Sequence, residues 1–156
     1  MSNYMIDGSY GDDELSGSWG DDDIYADEGD DDLYGGQGDD VLDGAEGDDY
    51  LNGGDGNDLL WAGFGQDVLV GGRGSDAFGF YAPGDFLIDD FNVFSDILLF
   101  DSETTGIYNI DDLIDAVTDI EESDIGVVID FGYTASITLV GVYENDLDLV
   151  RVDFVY

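Results

Sequence analysis

The chain contains no cysteine, no histidine and no lysine, and only one proline and two arginines, Arg73 and Arg151, among its 156 residues. Without cysteine or histidine there are no disulfides, no thiol nucleophiles, no zinc sites of the usual kind and no histidine-based triads. Without lysine there is no Schiff-base chemistry. Positive charge is almost missing: 40 acidic residues against two arginines leave a formal net charge of -38. Such a field repels nucleic acid and acidic membrane surfaces, so neither is an expected partner. No apolar run reaches the roughly 18 residues of a membrane span. The opening MSNYMIDGSY lacks the basic and apolar regions of a signal peptide, and export by the usual N-terminal route is not expected. What is present is apolar as well as acidic. At 43% hydrophobic and 13% aromatic, the chain is too rich in such residues for a disordered acidic polymer. Its length suits one ordinary domain, or two small ones sharing a core.

Written in rows of nine from Gly8, residues 8–79 give eight unbroken rows: GSYGDDELS, GSWGDDDIY, ADEGDDDLY, GGQGDDVLD, GAEGDDYLN, GGDGNDLLW, AGFGQDVLV and GGRGSDAFG. Position four is always glycine: Gly11, Gly20, Gly29, Gly38, Gly47, Gly56, Gly65 and Gly74. Position six is always aspartate: Asp13, Asp22, Asp31, Asp40, Asp49, Asp58, Asp67 and Asp76. Position eight is always apolar, from Leu15 to Phe78. Salt adaptation would scatter acids over a surface; it does not produce fixed columns.

Each row divides into a Gly/Asp stretch suited to tight turns and a three-residue x-apolar-x stretch suited to a short strand. Three residues extend only about 10 Å, so the strands must stack, each contributing one inward apolar residue to a narrow continuous core. The result is a flattened solenoid with two strands and two turns per coil. Turns one coil apart lie about 4.8 Å from each other, where bare carboxylates repel by nearly 1 kcal/mol even in water. A hard divalent cation between stacked turns reverses that sign, and oxygen ligands without nitrogen or sulfur point to Ca²⁺.

The candidate ligands are the position-six side chains, with backbone carbonyls of the position-four glycines beside them; which carbonyl serves which ion is left open. Stacking pairs Asp13 with Asp31, Asp31 with Asp49 and Asp49 with Asp67 on one edge, and Asp22 with Asp40, Asp40 with Asp58 and Asp58 with Asp76 on the other. That makes about six sandwiched ions. Position five (Asp12, Asp21, Asp30, Asp39, Asp48, Asn57, Gln66, Ser75) is expected to face solvent. The metal-free chain is expected to be largely unfolded by its own repulsion.

These rows resemble the GGxGxDxUx nonapeptides of the RTX (repeats-in-toxin) family, the haemolysin-type calcium-binding proteins. Ala26 and Ala62 replace the first glycine, and Ser9, Ser18, Asp27 and Ala45 the second. The resemblance implies an all-β fold: a right-handed parallel β-roll over residues 8–79, followed by a β-rich capping segment, 80–156, containing one short helix. The stretch PGDFLIDDFNVFSDILLFD, residues 83–101, is similar to the segment after the repeats in serralysin-like proteases. That comparison makes Asp90 or Asp96 a candidate to close the last calcium turn. In the cap, Asn109 as N-cap and the spacing of Ile110, Leu113, Ile114, Val117 and Ile120 predict a helix over 110–122. Strands are expected at 126–131 and 136–142, joined by a loop around Gly132 and Tyr133.

The ending Asp153-Phe154-Val155-Tyr156 is similar to the uncleaved signal for type I secretion in RTX proteases, which implies an ABC exporter as partner and an extracellular location. The expected function is calcium-triggered folding after secretion. Nothing singles out one carboxylate pair among so many acids, so no catalytic residue is expected. The alternatives are a calcium-dependent structural, adhesive or self-assembling module, with Tyr10, Trp19, Trp61 and Phe64 either packing or mediating contact with a glycan, cell-surface ligand or second copy, and the excised tail of a larger RTX enzyme or toxin.

Overall fold

The computed structural model describes residues 3–132 and 135–156. Of the loop expected around Gly132 and Tyr133, Tyr133 lies outside the described residues. In chain order the elements are β1 (Met5–Asp7), β2 (Glu14–Ser16), β3 (Asp23–Tyr25), β4 (Asp32–Gln37), β5 (Val41–Asp43), β6 (Tyr50–Asp55), β7 (Leu59–Trp61), β8 (Gly65–Arg73), β9 (Ala77–Phe80), β10 (Gly84–Ile88) and β11 (Ile97–Asp101). There follow α1 (Ser102–Thr105), α2 (Ile110–Ala116), β12 (Asp119–Glu122), β13 (Gly126–Asp130), β14 (Ser136–Val140), a 3₁₀ turn (Glu144–Leu149) and β15 (Arg151–Val155).

Alternate strands go to opposite sheets. One sheet runs β1-β3-β5-β7-β9-β11-β15, the other β12-β13-β14-β10-β8-β6-β4-β2. Every pairing within the repeats is parallel, and Leu42 faces Leu60 as Leu33 faces Leu51, an offset of 18 residues. The chain therefore winds as the rows require, two strands per coil. The core is the position-eight column: Ile24, Leu33, Leu42, Leu51, Leu60, Leu69 and Phe78 are all fully buried. Each coil adds little apolar area, and its burial is complete only because neighbours above and below close the gap.

The winding extends beyond the eight rows at both ends. β1 sets Ile6 opposite Ile24, one half-coil before Gly8. After residue 79 both sheets continue, with offsets that lengthen as residues are inserted: Asp67 faces Phe86, and Phe78 faces Leu98. Here the single aliphatic per strand gives way to a phenylalanine cluster. Phe80 lies 4.9 Å from Phe86 and 5.5 Å from Phe100, and Phe100 stacks on Phe154 at 6.3 Å, between ring centroids. β14 and β15 add in parallel to β10 and β11, while β12, β13 and β14 form an antiparallel edge.

The cap differs from expectation in its helices. Among the described residues three short helical segments occupy it in place of one. Asn109 does cap α2, its side chain accepting from the Asp111 and Asp112 N–H groups, yet the helix stops at Ala116 and not at residue 122. The β-branched pair Val117-Thr118 disfavours continuation. The Thr118 N–H instead donates to the Asp130 carbonyl, and 119–122 pair with β13. Ile120, spaced as a helix residue, is a strand residue. No helix among the described residues is long and apolar enough to cross a membrane.

Candidate metal centre

The turns between strands stack into two edges, and the position-six aspartates form a column down each. Their side chains reach back one coil. The backbone N–H of Asp13 donates to Asp31 Oδ1, Asp31 to Asp49 and Asp49 to Asp67, at 2.6, 2.8 and 3.0 Å. On the other edge Asp22 donates to Asp40, Asp40 to Asp58 and Asp58 to Asp76, at 2.7, 2.8 and 3.0 Å. The six expected pairs are thus each linked by one hydrogen bond. The second column runs further in both directions: Tyr4 N–H donates to Asp22, and Asp76 N–H to Asp96 Oδ1 at 3.1 Å. Asp96 therefore takes the next place in the column, and Ser95-Asp96-Ile97-Leu98 repeats Ser75-Asp76-Ala77-Phe78. Asp90 stands outside it. Both its oxygens accept backbone N–H groups, from Gly71 and Gly72 at 2.8 Å.

The other carboxylate oxygen, Oδ2, divides the turns into two kinds. In the first two rows it accepts the position-two N–H, from Ser9 to Asp13 and from Ser18 to Asp22, each at 2.8 Å. Asp96 is closed in the same way by Asn92. In the interior rows Oδ2 of Asp31, Asp40, Asp49, Asp58 and Asp67 is buried with no partner. There the position-two residue has turned to positive φ: 83° at Asp27, 115° at Gly36, 63° at Ala45, 109° at Gly54 and 92° at Gly63. Its N–H does not donate to Oδ2, so the bond that closes the turn in the first two rows is missing.

Buried, unpaired carboxylate oxygens carry a large desolvation cost unless a cation or proton meets them. Burial accordingly pushes Asp49, Asp58 and Asp67 up from 3.8 to about 7 and Asp76 to about 6, and raises Asp31 and Asp40; donated backbone N–H groups oppose the shift, and neighbouring carboxylates add to it.

Beside these oxygens the backbones of stacked turns approach as closely as glycine alone permits. A Cβ built on Gly35 would stand 2.5 Å from Asp40 Oδ2 and 2.6 Å from the Gly53 carbonyl of the next coil. At Gly38, Gly47, Gly56, Gly65 and Gly74 an added Cβ would strike the carbonyl oxygen of the position-four glycine one coil earlier. Carboxylate and main-chain carbonyl oxygens therefore come together between stacked turns, and hard oxygen donors of this kind fit Ca²⁺. No three carboxylates converge among the described residues, so most ligands for such an ion would be main-chain carbonyls.

Position five is exposed throughout, yet its side chains are engaged. Asp12, Asp21, Asp30, Asp39, Asp48 and Asn57 each accept the backbone N–H of the position-five residue one coil later, at 2.8–3.2 Å. Position six leans toward the preceding coil and position five toward the following one. Two further features carry no periodic signal. Tyr81 O–H donates to Asp43 Oδ1 at 2.7 Å, across 38 residues, and its ring packs on Trp61. The terminal Asp153, Phe154 and Val155 lie in β15, with Asp153 facing Leu99 and Phe154 facing Phe100, while Tyr156 is exposed.

The family model for the RTX calcium-binding nonapeptide repeat matches the chain in four copies, over residues 5–33, 16–51, 25–60 and 43–78. No curated protein sequence matches. Among solved structures, the chain is similar to the AlgE6R3 subunit of the mannuronan C5-epimerase from Azotobacter vinelandii, with a TM-score of 0.51 and 25% identity over 94% of this chain and 80% of that one. It is also similar to the extracellular lipase LipA of Serratia marcescens, with a TM-score of 0.37 and 18% identity over 97% of this chain and 40% of the lipase. The repeat matches fall on the rows that stack at 18-residue intervals, and the epimerase subunit shares the fold those rows make: residues 5–78 belong to the RTX calcium-binding nonapeptide repeats and fold as a parallel β-roll.

Proposed function

We propose that this chain is a calcium-operated folding module, exported unfolded by a type I (ABC) secretion system and folded outside the cell. The carrying observation is the set of five buried, unpartnered Oδ2 atoms on Asp31, Asp40, Asp49, Asp58 and Asp67. These aspartates, with Asp13, Asp22 and Asp76 at the margins and the position-four carbonyls from Gly11 to Gly74, are the proposed ligands. When bound, calcium supplies the positive charge that stacked carboxylates lack. Where calcium is scarce, the chain at a net charge of -38 repels itself and stays open. Extracellular modules of this kind need sites of only about 10⁻⁴ to 10⁻³ M. Because the position-six carboxylates from Asp22 to Asp76 each accept an N–H from the preceding coil, one occupied turn orders the next, and binding is cooperative.

The segment 80–156 serves as the cap. Its phenylalanine cluster needs no cation to form, so it provides the first ordered coil on which the repeats wind. Asp153-Phe154-Val155-Tyr156 is read by the exporter before β15 forms. The role is structural and calcium-binding; nothing in the columns selects a catalytic pair.

Titrating Ca²⁺ into the full chain while following far-UV circular dichroism tests the switch. A sigmoidal gain of β signal is expected; a chain already β-rich in chelator sinks the proposal. Export is tested by deleting residues 153–156 in cells carrying a type I exporter: loss of the protein from the medium is expected, and undiminished secretion removes the terminal signal from the reading.

A further inference from the structure

We infer that a groove on the outer face of the roll binds a neutral polysaccharide, an inference that rests on the calcium-loaded roll proposed above. The groove is a product of the fold. On the sheet containing β4, β6 and β8, the outward residues of each strand end in a position-two glycine, Gly36, Gly54 and Gly72. These have φ of 115°, 109° and 96°, and at each an added Cβ would meet the main chain of the coil before. Three such residues at the strand spacing of about 4.8 Å make a floor of bare backbone running across the strands. Asn52 and Val70 rise on one side, and Trp19, Gln37, Asp55 and Arg73 on the other, enclosing about 570 Å³.

The side chains on this groove are not those the roll needs for itself. On the opposite sheet the corresponding depression is acidic: Asp7 and Asp43 line it beside Tyr25, and Asp27 and Ala45 stand at position two where this groove has glycine. Its position-three column reads Tyr10, Glu28, Glu46 and Phe64, against Trp19, Gln37, Asp55 and Arg73 here. Both sheets stack in parallel at the same 18-residue offset, so the stacking itself does not dictate the walls. In a chain of net charge -38, the side chains lining this groove carry one negative and one positive charge. Among the lining residues the one acid, Asp55, lies 3.5 Å from Arg73, one of only two cations in the sequence, and Asp90 meets the floor at one end, where it accepts the Gly72 N–H.

That lining names the class of ligand. The Trp19 ring, 66% exposed, offers an apolar face with a polar N–H at its edge, suited to the C–H face of a pyranose ring. Gln37, Asn52 and the Asp55–Arg73 pair present planar donors and acceptors suited to neighbouring hydroxyls. An apolar peptide or lipid finds only Val70 and one indole. A polyanion is opposed by the field of the whole molecule. A shallow strip without a closed end suits a chain of sugars better than a small molecule.

The test is electrophoresis of the calcium-loaded full chain in native gels containing laminarin, dextran, galactomannan or xyloglucan, with hyaluronan as the acidic control and circular dichroism on the same samples. Retardation by at least one neutral glycan is expected, weakened tenfold or more by Trp19→Ala and by Gln37→Ala and unchanged by Glu46→Gln on the opposite edge. Trp19 and Gln37 are both exposed, and the dichroism reports directly that each variant still folds. Retardation by none of the four glycans, full binding by Trp19→Ala, or preference for hyaluronan overturns the groove. A chain that folds on calcium yet ignores the glycans overturns the groove alone. One that binds a glycan with no response to calcium overturns the calcium reading alone.

Discussion

Asp27 and Ala45 hold φ of 83° and 63° at the position where Gly36, Gly54, Gly63 and Gly72 stand in other rows. A residue with a Cβ in this region costs about 1 kcal/mol or more relative to glycine, less for Asp than for Ala because its side chain tolerates the left-handed conformation. Ala45→Gly should therefore stabilise the calcium-loaded roll by about 1 kcal/mol and Asp27→Gly by somewhat less, measured by urea unfolding at saturating calcium; destabilisation by either would show that the turn does not keep this backbone. Position two was legible as a preference for glycine in the sequence, and the backbone supplies its reason. The Tyr81–Asp43 bond was not legible at all. It occurs once, spans 38 residues, and belongs to no column, so periodicity could not mark it.

On the proposed calcium reading, the turns are the elements that decide where the ion is needed. Asp13 and Asp96 are closed by N–H groups from their own turns, whereas Asp49 keeps an unpaired buried oxygen. Asp49→Asn should raise the calcium concentration at the folding midpoint several-fold, while Asp13→Asn should shift it little; equal shifts in a circular dichroism titration would contradict the division into self-closed and open turns. The strands were readable because one apolar residue in nine recurs without a break. The cap was harder. Its apolar spacing matched a helix through Ile120, but pairing with β13 captured residues 119–122, and the partner of a strand is not visible in the strand's own sequence. Asp96 was recoverable from the local match of Ser95-Asp96-Ile97-Leu98 to the last row, despite the two-residue lengthening of that coil.

At the scale of the whole molecule, charge and protons are linked. Asp49, Asp58 and Asp67, pushed up from 3.8 to about 7, and Asp76, pushed to about 6, hold their protons more tightly in the metal-free roll than in the unfolded chain. Proton binding thus favours metal-free folding fully below about pH 4 and loses its effect as pH rises through 6 and 7. In chelator, β structure should increase between pH 8 and pH 5; a flat dichroism signal across that range would mean the carboxylates are not buried together. On the proposed calcium reading, protons and calcium are then rival occupants of the same turns. The hydrogen bonds of positions five and six, one leaning forward and one back, have a mechanical consequence. Every interior coil is clasped from both sides and the last row is held by Asp96 and the cap, but the N-terminal coil is clasped from one side only, so a chain under tension sheds that turn before any other. The release comes in parcels of 18 residues, each about 60 Å of slack, and the roll yields like thread paid off a spool.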